Sequence, residues 1–306
     1  MSEQAESKHA PQTLLGRARF VVALALVWGA LHYVCEASVV PRGLDRALVV
    51  TGAENAILAP LLTGALLLAV AYFAAVIAGT RRAATAPLIV GLALACWSAP
   101  AGTMDDWLKL KVTTRDGSAS AAYWPLIAEY IFLLFCMIGA MVLGELASLG
   151  GSVSDPAKRK SALRRALGLD LSAAEIRNGL LAMLVTAVVA GVLLLYLNGP
   201  RVGHTHRGQV YFAVAVAFLC GALVASKIVG TQHPLWYGLS PFLVGITGVI
   251  LAGINPALPG SYANINVIPA SGLVRALPIE LVGVATVTVI WALRPGQSSS
   301  ASPQPG

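Results

Sequence analysis

Charged side chains are scarce in this chain: Asp, Glu, Lys and Arg make up 11% of its 306 residues. A water-soluble domain usually carries about 25%, so too few charges remain to solvate a globule of this size. The hydrophobic share is 57%, and the mean hydropathy is +0.75. This composition argues against an ordinary soluble domain and indicates an integral membrane protein.

Cysteine is also sparse, and the few cysteines do not pair. All four lie inside apolar runs, at Cys35, Cys96, Cys136 and Cys220. Their spacing gives neither a disulfide framework nor a CxxC site, so we interpret them as small hydrophobic core residues.

Sequence motifs that would name a reaction are missing as well. The chain contains no cofactor fingerprint, no phosphate-binding loop and no catalytic triad. Its apolar runs lack the paired histidines that would clamp a haem, which disfavours a redox carrier. We therefore expect no bound cofactor, and the sequence by itself does not name a function.

The charge that is present is mostly positive, with a formal net charge of +7. A nucleic-acid partner would require a basic surface interleaved with aromatic residues, and the sequence shows none. Many Lys and Arg residues instead lie in short joints beside apolar runs, where they hold a joint on the cytoplasmic side of a membrane. We therefore expect the lipid bilayer, and no nucleic acid, as the partner of this charge.

What the chain has in abundance is apolar runs of helical length. Roughly 20 apolar residues are needed to cross roughly 30 Å of hydrocarbon. Eight such runs alternate with polar joints, over 20–40, 55–78, 85–102, 123–149, 178–198, 210–230, 236–254 and 278–293. The pattern predicts an all-α, polytopic transmembrane helix bundle of about eight spans.

The Lys and Arg residues fall mostly on every second joint, which sets the orientation. The clusters Arg81-Arg82 and Lys158-Arg159-Lys160 share one side with both termini if the number of spans is even. The positive-inside rule then predicts two cytoplasmic termini and a multi-pass protein of the cell inner membrane. We expect a disordered cytoplasmic N-terminus over 1–17, a single transmembrane domain over 18–294 and a disordered tail over 295–306.

The joint after the fourth run carries its own helix signals. Asp155-Pro156 supply an N-cap and a first-turn proline, and Gly168 supplies a C-cap. We therefore expect an amphipathic cytoplasmic helix over about 156–168. Its polar face would contact anionic lipid headgroups through Lys158, Arg159, Lys160, Arg164 and Arg165. A role in membrane orientation alone stays the simpler alternative. The next run opens with a capping box, Ser172-Ala-Ala-Glu175.

Small residues recur at every fourth position of the sixth run, at Ala213, Ala217, Gly221 and Ala225. Such a stripe lets another helix approach closely. It fits packing within the chain, and a membrane-protein partner or a homodimer is the alternative. Pro241 lies inside the seventh run and predicts a kink there.

Ionisable groups at membrane depth are the main candidates for function, because each is expensive there. Glu129 and Glu280 lie near the N-terminal ends of their runs, where the helix dipole favours a carboxylate. Glu36 lies near a C-terminal end and needs a cation or a proton, and His32 lies on the same helix face. Because Glu36 and Glu129 lie at similar depths, we predict an outer-leaflet ligand or proton site formed by His32, Glu36 and Glu129. A His–Glu pair that only fixes helix packing is the competing interpretation.

A second predicted contact lies on the inner side of the membrane. Glu145 is close to a C-terminal helix end, where the exposed carbonyls repel an anion. Lys227 ends another apolar run at a similar depth. We expect the two side chains to form an ion pair that holds the fourth run to the sixth.

A third, weaker pattern lies in the short outer joint before the sixth run. His204 and His206 form an x-His-x-His pair, which can bind a transition metal. Asp105 and Asp106, in another outer joint, would complete such a site if the two joints meet. Solvated surface histidines are the alternative.

The choice between candidate classes of function depends on how little of the chain is expected to lie outside the bilayer. The joints are too short to hold a catalytic domain, which favours a transporter-like bundle for a small solute or ion, or a membrane subunit of a larger complex. The alternative is a membrane-embedded enzyme that acts at the outer interface through the His32, Glu36 and Glu129 pocket.

Overall fold

The structure is a computed structural model of the whole chain. It describes residues 14–35, 47–52, 57–78, 85–114, 119–149, 155–169, 171–198, 206–229, 233–255 and 271–293. Within these ranges the protein is helical and contains no β-strand, apart from a parallel bridge between Ala47 and Gly102. The predicted all-α class is confirmed. Of the two segments predicted to be disordered, 1–17 and 295–306, residues 1–13 and 295–306 lie outside the described residues, whereas residues 14–17 are helical.

Eleven α-helices are present in the described ranges. They are α1 (Leu14–Ala30, extended by a π-helical turn Leu31–Cys35), α2 (Leu58–Ala78), α3 (Thr85–Ser98), α4 (Met104–Thr114), α5 (Ala119–Tyr123), α6 (Pro125–Ser148), α7 (Pro156–Ala166), α8 (Ala173–Leu197), α9 (Arg207–Val229), α10 (Pro234–Ile254) and α11 (Pro278–Ala292). Each of the apolar runs seen in the sequence coincides with an apolar helix.

Within the described residues, six apolar helical segments are long enough to cross a membrane. They are Leu15–Cys35, Leu58–Ile77, Ser120–Ser148, Ala173–Leu197, Arg207–Val229 and Pro234–Ile254. The two remaining apolar helices, α3 and α11, are 14 and 15 residues long. At 1.5 Å per residue they span only about 21–23 Å, less than the thickness of the hydrocarbon.

The two short helices α3 and α11 pack against each other in the interior of the bundle. Both are buried around most of their circumference, as expected of helices that are apolar on all sides. Two glycines make the close approach possible. A Cβ added to Gly283 would lie 2.9 Å from the Gly91 carbonyl oxygen and from the Ala95 nitrogen. The longer helices surround this pair: α1, α2 and α6 contact α3, while α6, α9 and α10 contact α11.

The small-residue stripe of α9 is buried within the chain. Ala213, Ala217 and Ala225 have no exposed surface, and Gly221 is also buried. A Cβ at Gly221 would lie 2.7 Å from the carbonyl oxygen of Thr186 in α8. The stripe therefore serves packing within this chain, one of its two predicted roles.

Helix α10 continues through Pro241. A proline inside a helix leaves the carbonyl four residues earlier without its donor. That carbonyl belongs to Tyr237, and the Ser240 hydroxyl donates to it at 2.6 Å. The neighbouring serine thus compensates for the missing N–H, as buried helices in an apolar environment require.

The local signals around α7 are confirmed. The Asp155 side chain accepts from the backbone N–H groups of Ala157 and Lys158, at 3.0 and 3.4 Å. Gly168 ends the helix with φ of 65°, a conformation that glycine adopts without strain. The capping box is also formed, because the Ser172 N–H donates to the Glu175 carboxylate at 2.7 Å.

One joint expected to be polar contains a helix instead. Helix α4 begins after Thr103, which forms a capping box with Asp106: the Thr103 N–H donates to Asp106 Oδ2 at 2.6 Å. Met104, Trp107 and Leu108 are buried, the i, i+3, i+4 spacing of an amphipathic helix. The sequence interpretation missed it because polar residues dominate the segment and hide the short apolar face.

The crossing of α3 and α11 gives a testable expectation. Gly283→Ala should lower the free energy of unfolding by about 1–3 kcal/mol, because its Cβ has to displace backbone atoms of α3. The control is Gly29→Ala, whose Cβ meets no atom within 4 Å. Thermal unfolding of the detergent-solubilised protein, followed by circular dichroism, measures both variants. Equal stabilities for the two variants would contradict the packing described.

Candidate functional site

Contacts between helix ends define two ends of the bundle. At the first, which we call the polar end, Arg207 begins α9 and contacts Glu280 in the first turn of α11. At the other, the α7 end, helix α7 packs on α6, and Gly168 lies beside Leu235 at the start of α10. The polar end gathers buried charges, and the α7 end holds a cleft.

The C-terminal end of α3 lies at the polar end, where side chains bind the carbonyl of Ala95. The last four C=O groups of any helix lack partners within that helix. The hydroxyls of Ser98 and Tyr211 lie 2.6 Å apart, and each reaches the Ala95 carbonyl, at 3.1 and 3.0 Å. Tyr211 belongs to α9, so this contact also ties α9 to α3.

Arg207 connects three elements at the polar end. Its guanidinium donates to the carbonyls of Ala99 and Ala101, just beyond α3. Its Nε lies 3.0 Å from Oε1 of Glu280, whose side chain is 2% exposed. The other carboxylate oxygen of Glu280 accepts from the backbone N–H of Leu277 at 2.9 Å, at the start of α11. One ion pair, buried on the Glu280 side and partly exposed on the Arg207 side, thus links the segment that follows α3 to the beginning of α11. We call this set of contacts the Arg207 network.

Glu129 on α6 holds a segment of irregular backbone. Its two carboxylate oxygens accept from the N–H groups of Val50 and Thr51, at 3.0 and 2.7 Å. The residues from Ala47 to Val50 are buried, and Glu129 has no exposed surface. Non-helical backbone at membrane depth is tolerated where protein groups satisfy it. Glu129 therefore binds the backbone of a distant segment, a role that its favourable position near the N-terminal end of a helix does not by itself explain.

Arg275 lies beside this region, between the 3-10 turn Gly272–Val274 and α11, and is 4% exposed. Burial lowers the pKa of its guanidinium, whereas the nearby Asp105 and Tyr123 raise it. Asp105 lies in the first turn of α4. The short helix α4 thereby places an acidic group in the neighbourhood of a buried cation.

A cleft lies in the part of the bundle toward the α7 end, between α3, α6, α10 and α11. It contains about 390 Å³ of space that atoms do not fill, including the part open to its surroundings. The lining is almost wholly apolar and includes Pro87, Leu134, Met137, Pro234, Phe242 and Ile290. Thr286 also lines it, and its buried hydroxyl has no hydrogen-bond partner among the described residues.

The predicted outer-leaflet site is only partly described. Glu36 lies outside the described residues. His32 stacks on Trp28 with ring centroids 5.3 Å apart and meets Tyr33 edge-on. Glu129 binds the backbone of residues 50 and 51 with both oxygens. The His32, Glu36 and Glu129 site therefore stays a prediction, now with one member engaged elsewhere.

The structure brings Glu145 to a different cation from the one expected. Its carboxylate lies 3.8 Å from the guanidinium of Arg165 on α7, a pair in which both side chains are partly exposed. Lys227 ends α9, which packs on α8 and α11. The pair Glu145–Lys227 stays a prediction.

Only part of the predicted metal site lies within the described residues. His206 is exposed just before α9, and His204 lies outside the described residues. Asp106 is engaged in the α4 capping box, and Asp105 lies near Arg275. Over the ranges that the structure covers, no three His, Cys, Asp or Glu residues come together as metal ligands.

Two of the residues that matter most here were not singled out from the sequence. For Arg207 the sequence offers one signal: it is a cation at the first position of an apolar helix, where the helix dipole disfavours positive charge. Thr286 had none, because an unpartnered hydroxyl is visible only once its neighbours are known.

Comparisons of this chain with protein-family models, with curated proteins and with solved structures find no match.

The role of Glu129 is tested by a substitution that keeps its shape. Glu129→Gln leaves one oxygen for two backbone donors, so we expect a loss of about 1–3 kcal/mol in the free energy of unfolding. Glu145→Gln is the matched control, because its partly exposed ion pair contributes at most about 1 kcal/mol. Denaturant unfolding in detergent compares the two variants. A loss no larger for Glu129→Gln than for Glu145→Gln would contradict the role assigned to Glu129.

Proposed function

We propose that this protein is a carrier-like bundle of the inner membrane that binds a small, largely apolar molecule in the cleft between α3, α6, α10 and α11. The observation that carries the proposal is the asymmetry of the two ends. A cleft lies in the half of the bundle toward the α7 end, whereas the Arg207 network joins the helix ends at the polar end. Carriers bind their substrates between helices near the membrane midplane and expose them to one side at a time.

The cleft itself indicates the class of ligand. Its lining is apolar, and the hydroxyl of Thr286 is buried there without a partner. An unsatisfied buried hydroxyl costs about 1–3 kcal/mol. A ligand with one hydrogen-bonding group on an apolar body would remove that penalty while it fills the space. Leu134 lies near the middle of α6, so the cleft extends to about the middle of the bundle.

The closed polar end favours a carrier over an open channel. Arg207 and Glu280 join three elements there, and Ser98 with Tyr211 adds a second contact between α3 and α9. Opening this end would break a defined and small set of contacts. That is the kind of bistable element on which alternating access depends.

The proposal includes eight crossings, with both ends of the chain in the cytoplasm. In support, contacts alternate along the chain: the C-terminal end of α3 and the N-terminal ends of α9 and α11 meet at the polar end. The basic helix α7 lies at the opposite end, and basic segments favour the cytoplasmic side. The cleft would then open toward the cytoplasm.

Cysteine modification tests both the cleft and its direction. Leu134 lines the cleft, and its neighbour Phe135 is 69% exposed on the outer surface of α6, at the same depth. The four native cysteines are replaced by alanine, and Leu134→Cys and Phe135→Cys are treated with a membrane-impermeant methanethiosulfonate. Leu134→Cys should be modified in inverted vesicles and Phe135→Cys in neither orientation. Adding Gly238→Phe, which fills the cleft, should block the reaction.

Carrier behaviour is tested in the same vesicles. Glu280→Gln breaks the Arg207 network and should raise modification of Leu134→Cys from the opposite side at least about tenfold, since about 1.4 kcal/mol is enough for that shift. A rigid membrane subunit would show no reaction from the second side. Modification of Leu134→Cys that merely equals that of Phe135→Cys would contradict the cleft altogether.

A further inference from the structure

The helix α7 presents a basic surface that the proposed carrier activity does not use. Its exposed positive side chains, which we call the α7 basic face, are Lys158, Arg159, Lys160, Arg164 and Arg165. Of the residues that the structure describes, two acidic groups lie close to this face: Asp155 is 4.0 Å from Lys158, and Glu145 is 3.8 Å from Arg165. The helix itself, Pro156–Ala166, contains five basic residues and no acidic residue.

The helix is held in place against the bundle. Ala162 and Ala166 are buried, and α7 packs on α6. The Asp155 cap fixes its first turn, and at its other end the N–H of Leu169 donates to the Arg164 carbonyl at 2.8 Å. A rigid helix at the end of a membrane-spanning helix lies where the hydrocarbon gives way to headgroups.

Apolar side chains are exposed beside the basic face. Leu163 is 41% exposed and Leu169 is 60% exposed. Binding of nucleic acid or of an acidic protein would not require two exposed leucines at the membrane boundary. Leucine beside Lys and Arg is the pattern of a helix whose apolar side enters the acyl region while its cations reach the headgroups.

We propose that α7 is a binding site for anionic phospholipids. The α7 basic face holds the phosphodiester headgroups, and Leu163 and Leu169 lie among the acyl chains. Charge complementarity identifies the lipid class, because zwitterionic headgroups offer no net charge to five cations. The site is independent of the cleft and of any transport through it.

Lipid titration of the purified full chain in a non-ionic detergent tests the proposal. The probes are fluorescent phosphatidylglycerol and phosphatidylcholine with the same acyl chains. The test variant combines Arg159→Gln, Lys160→Gln and Arg164→Gln, which spares the pairs with Asp155 and Glu145. Each basic residue near an anionic surface is worth roughly fivefold in affinity. The triple variant should therefore bind phosphatidylglycerol at least about tenfold more weakly, with little change for phosphatidylcholine.

The control removes the same charge from other helices at the same end. It combines Arg17→Gln, Arg19→Gln and Arg177→Gln, three exposed residues of α1 and α8. Its affinity for phosphatidylglycerol should change less than about threefold. Equal losses in the two triple variants would overturn the site in favour of diffuse charge that only sets orientation. Equal affinity of the native protein for both lipids, or displacement of the lipid by millimolar inorganic phosphate, would also overturn it.

Discussion

The ends of a helix leave carbonyl or N–H groups without partners in that helix, and two short helices cross in the interior of this bundle. Helices α3 and α11 are 14 and 15 residues long. Arg207 and Glu280 supply partners at two of their ends: the guanidinium binds carbonyls just beyond α3, and the carboxylate binds the N–H of Leu277, the N-cap residue of α11. Each charge is in turn neutralised by the other. The central crossing of the bundle depends on this pair.

The same requirement explains Glu129. Residues 47–52 carry irregular backbone into the bundle, and the carboxylate of Glu129 takes up two of its N–H groups. In the same way, the Ser240 hydroxyl donates to the carbonyl of Tyr237, which Pro241 leaves without a backbone donor. Charged and polar groups thus concentrate where backbone regularity ends. The cleft toward the α7 end is lined almost wholly by apolar residues, and Thr286, which also lines it, has a hydroxyl without a hydrogen-bond partner among the described residues.

The sequence predicts the fold class and the local signals well because both depend on near neighbours. Hydrophobic runs mark the helices, Asp155 and Gly168 mark the limits of α7, and Ser172 with Glu175 marks the start of α8. The partners of Glu129 and Glu280 depend on chain segments more than seventy residues away. Nothing in a single sequence indicates which distant backbone will meet a carboxylate. Helix α4 was missed for a different reason, since its polar residues outnumber its three buried ones.

A double-mutant cycle between Arg207 and Glu280 tests the central claim most directly. Arg207→Met leaves the buried Glu280 carboxylate without its partner and should lower the free energy of unfolding by about 3–5 kcal/mol, whereas Glu280→Leu leaves a guanidinium that is 20% exposed and should cost less. The double variant removes both charges, and its loss should be smaller than the sum of the single losses by about 2 kcal/mol or more. Single losses that add to within about 0.5 kcal/mol would contradict the claim that this ion pair holds the two short helices in the bundle.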